Sequence, residues 1–170
     1  VIVALFGRGV LFIGEFRTVN YKYLVPLLPL SGVLIAWFYK HFGKECKKGM
    51  SLVFEAAQNK QEKVSWKLVP FGILLTWITH LFGGSAGREG VAVQIGASAA
   101  SNINDKFKLV QNKRVVIMTG MAAGFGGLFQ TPLAAVFFAL EVVYAGYIEY
   151  KALLFAIISS YTAAAVSHFL

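Results

Sequence analysis

Apolar residues run along this chain in blocks, separated by short polar or glycine-rich breaks. Residues 1–16 are apolar apart from Arg8 and Glu15 and read as a helix, followed by a polar connector at 17–22. Residues 24–42 form a second apolar span, close to the roughly 20 residues that a helix needs to cross a bilayer core, with Pro26 and Pro29 in its opening turns. A basic stretch at 43–48 leads to a short apolar segment at 51–57 and then to polar residues at 58–63. Residues 68–82 are a third span, entered through Trp66 and Lys67 at the expected interface. A helix is predicted from Arg88-Glu89-Gly90 to Asn102, and 105–114 is basic again. Segments 115–124 and 133–143 are apolar but short, with a break expected across 124–132. After a connector at 144–151, residues 152–170 close the chain with a last apolar block.

Several of these segments are too short for a full span and are interrupted by Gly or Pro. In a bilayer, non-helical backbone persists only where protein or a water-filled cavity covers it. Broken and re-entrant helices meeting near the midplane therefore point to a channel or transporter, with re-entrant helices merely packed in a bundle as the alternative. Composition agrees: 57% of the 170 residues are hydrophobic and 14% are charged, against about 25% charged in a soluble domain. The fold class expected is all-α integral membrane.

The net charge of +8 does not indicate nucleic acid, because the Lys and Arg lie in short connectors and not on one face with interleaved aromatics. The positive-inside rule instead places 43–48, 60–67 and 106–114 in the cytoplasm and 17–22 outside. Residues 1–13 carry Arg8 and no small-residue cleavage site, so they do not read as a signal peptide, and Val1 inside an apolar run reads as a start already lost. The single Cys46, flanked by Lys44, Lys47 and Lys48, allows no internal disulfide and reads as an inert cytoplasmic thiol. His41, His80 and His168 lack paired-ligand spacing, so no metal site and no cofactor are expected, and neither a nucleophile–base pair nor a phosphate loop suggests an enzyme.

The chemistry concentrates at 83–96, Gly-Gly-Ser-Ala-Gly-Arg-Glu-Gly-Val-Ala-Val-Gln-Ile-Gly. An ionisable side chain inside an apolar span is a functional candidate by default. Glu89 stands at a helix start, where unbonded N–H groups and the positive dipole end hold a carboxylate and where an anion would compete for the same groups. A gate follows: the charged carboxylate fills the site and leaves it when protonated or displaced. A salt bridge to Arg88 is the structural alternative. The second block, 120–141, carries small residues at close spacing that permit tight helix approach. It also holds Phe129, Pro132 at the first turn of a new helix, and Glu141, read as packing or structural positions.

Together the two blocks resemble the ClC family of anion channels and anion/proton antiporters. Gly87-Arg88-Glu89-Gly90 is similar to that family's G-R-E-G-P stretch, whose Glu is the external gate. Gly120 to Glu141 is similar to its G-x-x-x-G…F-x-x-P-L-x-x-x-x-F-x-x-E stretch, and the likeness runs over 40–170. Three positions depart from the chloride pattern. Val91 replaces the Pro of G-R-E-G-P. Met50 stands where chloride-type members carry the Ser of G-S-G-I-P, although a shift of one would place Ser51 there. Val142 replaces the second Glu that serves many chloride/proton exchangers as internal proton acceptor. The first two departures resemble the fluoride-exporting branch, whose members also lack the second Glu and exchange protons through the gate. A thioether is a weak acceptor without a hydroxyl donor, so Met50 cannot hold an anion as that Ser does; an ordinary core Met is the alternative.

The resemblance implies a ClC-type fold in which 1–170 is the N-terminal half of the transport domain, one of two inverted repeats. It implies fluoride/proton antiport across a bacterial cell membrane, with Glu89 as anion gate and proton carrier and with Met50, Gly87, Arg88, Gly90 and Val91 around the anion. The implied partners are fluoride or chloride, protons, the lipid bilayer and a second subunit in a homodimer. A chloride channel or exchanger, and a truncated fragment that does not transport, are the alternative expectations.

Overall fold

Apolar stretches away from water satisfy their backbone amides internally only as helices or closed barrels. The computed structural model, which describes residues 1–43, 46, 48–58, 64–144 and 146–170, contains no strand among them. Eight α-helices follow in order: α1 (Ile2–Leu24), α2 (Leu28–His41), α3 (Met50–Ala57), α4 (Leu68–Leu81), α5 (Glu89–Phe107), α6 (Lys113–Phe129), α7 (Pro132–Glu141) and α8 (Leu153–His168). Short 3-10 turns at Val25–Leu27 and Tyr150–Ala152 precede α2 and α8. With its 3-10 turn, the last helix (Tyr150–His168) is the one long and apolar enough, among the described residues, to cross a membrane alone. Leu68–Leu81 and Pro132–Glu141 are apolar but shorter.

Helix α6 is the centre. Ile117, Met118 and Met121 are fully buried on it, packed with Val53 and Ala57 of α3, Val93 and Ala97 of α5, and Leu140 of α7. A second cluster joins Phe6 and Val10 of α1 to Val69 of α4 and Ile95 of α5, so α5 is held from two sides. Where α5 crosses α6, a Cβ on Gly96 would overlap the Gly120 carbonyl and one on Gly124 would overlap the Ala92 carbonyl. Only hydrogen in place of a side chain lets the two backbones come this close. Large apolar side chains on α1, α2 and α8 face outward, among them Phe12, Val33, Leu154 and Ile158.

Four boundaries differ from the sequence reading. Residues 17–22 are not a connector: α1 continues through them to Leu24, with a kink at Asn20. Thr18 and Asn20 donate back to the carbonyls of Glu15 and Phe16, at 2.6 and 3.0 Å, so these polar residues serve the helix instead of ending it. The expected outer loop is replaced by the turn at Val25–Leu27, which holds Pro26 and divides the 24–42 span. Helix α5 runs past Asn102 to Phe107, where Lys108 in the left-handed region (φ 51°) stops it. Helix α6 runs on through its glycines to Phe129, so the break narrows to Gln130 and Thr131. Those glycines provide close packing, and the stop comes from left-handed Gln130 (φ 57°), whose N–H bonds the Gly126 carbonyl.

Of the three basic stretches, Lys44, Lys47, Lys60 and Lys63 lie outside the described residues. The third is the end of α5 and the start of α6 joined by 108–112, where the Asn112 side chain caps α6 through the amides of Arg114 and Val115.

Candidate functional site

The site is built where α5 and α3 begin. Arg88 occupies the N-cap of α5 and Glu89 its first turn, with no side chain capping the end. The first helical bond runs from the Ala92 N–H to the Arg88 carbonyl at 3.0 Å. The amides of Glu89, Gly90 and Val91 therefore precede the hydrogen-bonded ladder and are open to an acceptor. Arg88 and Glu89 do not form an ion pair with each other among the described residues. Glu89 is exposed, and its Oε2 lies back over Gly87, where an added Cβ would stand 2.7 Å from it. Gly87 thus leaves room for the carboxylate. Val91 turns its side chain inward, half-buried against the Phe6–Ile95 cluster and near Gly72 of α4, so it can offer an anion only its N–H.

Gly49 caps α3 with φ 51° and ψ −122°, a backbone conformation that favours glycine. Met50 is the first residue of α3, half-buried against the main core, while Ser51 is exposed with its N–H bonded to the Lys48 carbonyl at 3.0 Å. No side chain caps this end either.

The residue that links the two helix starts is Gln94, which the sequence reading passed over. Its Nε2 lies 3.7 Å from where a Cβ of Gly49 would stand and 4.0 Å from the corresponding point on Gly90. The amide group therefore sits between the α3 N-cap and the first turn of α5. Gln94 heads a polar row at four-residue spacing with Ser98 and Asn102, a period that puts all three on one helix face. The Ser98 hydroxyl donates to the Ser65 carbonyl (3.0 Å) and the Asn102 amide to the Val64 carbonyl (2.8 Å), which fixes the row against the lead-in to α4. That spacing is visible in the sequence; its significance is not, because the α3 partner lies more than 40 positions away.

The second block sits behind the site. Phe129 ends α6 with its ring 4.8 Å from that of Phe125, and Phe125 stacks on Phe138 of α7 at 5.1 Å. Pro132 opens α7, and its carbonyl accepts from the Ser160 hydroxyl of α8 at 3.0 Å. Glu141 is the last residue of α7 and exposed, and Val142 is half-buried against the main core. His80 and His41 each bond through Nδ1 to a carbonyl of their own helix. Beside Arg88 a cavity of about 390 Å³ is also lined by Arg8, Gln130 and His168. Two arginines lining the same cavity favour an anion within it.

Known proteins give this arrangement a context. Residues 31–170 match the family described as voltage gated chloride channel. A chloride/fluoride channel protein of Pseudomonas syringae pv. tomato is 35% identical over 145 residues, covering 85% of this chain and 32% of that protein. An uncharacterised protein of Methanocaldococcus jannaschii is 35% identical over 126 residues, 72% of this chain and 30% of its own length. The chain thus spans about a third of the length of the curated relatives it matches. The crystal structure of a CLC-type fluoride/proton antiporter superposes with a TM-score of 0.95 at 42% identity, over 99% of this chain and 42% of that one. That structure fixes the all-α ClC architecture, and the family match over residues 31–170 fixes the kinship: the chain belongs to the voltage gated chloride channel (ClC) family of ion-transporting membrane proteins.

Proposed function

We propose that these residues form the N-terminal half of a fluoride/proton antiporter that exports fluoride across a bacterial cell membrane, acting as a homodimer once the second half is present. One observation carries the reading. The amides of Glu89–Val91 precede the α5 ladder, the Gln94 amide lies close to Gly90 and to Gly49 at the start of α3, and the Glu89 carboxylate stands at the same start of α5, back over Gly87. Glu89 gates the anion: charged, it occupies the amides that fluoride would take, and protonated, it withdraws and carries the proton. Gly87 gives it room, and Arg88 with Arg8 draws anions to the neighbouring cavity. Met50 offers no hydroxyl donor, which removes one contact on which a chloride-type site relies. The outward-facing apolar side chains of α1, α2 and α8 suit a lipid surface. The names of the Pseudomonas relative and of the antiporter structure both include fluoride, which favours this cargo.

Ion-substitution efflux from liposomes holding the full-length protein tests the cargo. Rapid electrogenic loss of fluoride with little loss of chloride is expected, and comparable or faster chloride efflux overturns the fluoride assignment. A chloride channel or exchanger is the second reading, favoured by the name of the Pseudomonas relative, which includes chloride as well.

A further inference from the structure

Helix α3 is eight residues long, too short to be stable without tertiary support, and its far end is tied down by a group no transport step uses. Arg114, in the first turn of α6, donates through Nε to the Ala57 carbonyl that ends α3, at 3.1 Å. The same guanidinium donates through Nη1 to Glu149 Oε2 at 3.0 Å and through Nη2 to the Tyr144 hydroxyl at 3.2 Å, and it lies over the Tyr144 ring at 5.1 Å. Glu149 is 5% exposed. A second tie runs in parallel from the Gln58 amide to the Val143 carbonyl at 3.0 Å.

A cation in the first turn of a helix opposes the helix dipole, whereas at a helix C-terminus it is favoured. Arg114 is therefore badly placed for its own helix and well placed for α3. Burying its partner Glu149 away from water is costly unless the charge is paired and hydrogen-bonded, and Arg114 supplies that pairing. The structure assigns Arg114 and Glu149 a positioning role: they latch the carbonyl end of α3 to the segment after α7 and so fix where Gly49 and Met50 present the opposite end to Gln94 and α5. Only the guanidinium fork reaches carbonyl, carboxylate and hydroxyl together. The proposal rests on the reading of the α3–α5 junction as the anion site.

Cys46 reports on the latch without any transport measurement. It is 1% exposed, shares the main core with Val53, Ala57 and Val143, and its carbonyl accepts from the Gly49 N–H at 3.0 Å. In the full-length protein, alkylation at Cys46 is followed by mass spectrometry in wild type, Arg114→Ala, Arg114→Lys, Glu149→Gln and the milder Gln58→Ala. Fluoride KM, maximal rate and the fluoride-to-chloride ratio are measured alongside.

Released from the latch, α3 should expose Cys46 about tenfold faster in Arg114→Ala, a change of about 1.4 kcal/mol in local opening. The same variant raises the fluoride KM and lowers the selectivity ratio; Arg114→Lys and Glu149→Gln lie between it and wild type, and Gln58→Ala shifts both readouts least. If Arg114→Ala does not fold, the graded effects in Glu149→Gln and Gln58→Ala carry the test. Unchanged alkylation and selectivity, with only the yield of active protein reduced, overturn the latch. Faster alkylation in a protein whose wild type shows no fluoride preference upholds the latch and overturns the fluoride assignment, and faster alkylation in one that moves neither fluoride nor chloride upholds the latch and overturns the anion reading.

Discussion

Gly96→Ala should loosen the protein at the crossing on which α5 depends. An added Cβ would overlap the Gly120 carbonyl outright and stand 2.9 Å from both the Cα and the nitrogen of Gly124. Ordinary contact begins near 3.4 Å, so the helices must part by at least 0.5 Å at Gly124, and further at Gly120. The atoms in the way are backbone and cannot rotate aside. Overpacking costs about 1–3 kcal/mol, with the upper end apt for backbone obstacles, and the higher helix propensity of Ala returns about 1 kcal/mol. The net loss is about 1–2 kcal/mol, read as a lower melting temperature. Gly14→Ala and Gly32→Ala are the controls: nothing lies within 4 Å of a Cβ at either position, so propensity alone acts and stability holds or rises. Thermal unfolding of the purified protein in detergent reads all three. If Gly96→Ala melts with wild type while the controls behave as expected, the close crossing is not what holds α5.

Two further substitutions probe the site's support and its gate. Gly126→Ala drives a methyl group into the Ser160 hydroxyl and breaks its bond to the Pro132 carbonyl, which should cost about 1–3 kcal/mol; adding Ser160→Gly should recover part of that loss in a double-mutant cycle, and full additivity would refute the contact. Gly87→Ala places a Cβ 2.7 Å from Glu89 Oε2, the end of a mobile side chain, so stability should stay within about 0.5 kcal/mol while fluoride flux becomes less tightly coupled to protons. Unaltered coupling would show that the carboxylate's rest over Gly87 is no part of gating.

The sequence makes the helical architecture legible because its signals are local: apolar blocks mark α2, α4 and α8, and Pro132 marks the start of α7. Arg88-Glu89-Gly90 marks the start of α5 for the same reason. Where glycine and polar residues have a tertiary use, local reading fails. Gly124, Gly126 and Gly127 look like a break but serve close packing inside α6, and Thr18 and Asn20 look like a connector but bond back into α1. Gln94, Arg114 and Glu149 are invisible for a different cause. Each gains meaning from a partner 35 or more positions away, and spacing within one segment carries no trace of that.

The most direct test of the account is proton movement driven by a fluoride gradient in liposomes, wild type against Glu89→Gln in the full-length protein. The amide keeps the shape of the side chain and cannot carry the proton. Wild type should pump protons against the fluoride flow, and Glu89→Gln should move none while remaining folded. Proton movement that persists in Glu89→Gln would contradict the central claim, because the carboxylate at the start of α5 would then not be the carrier.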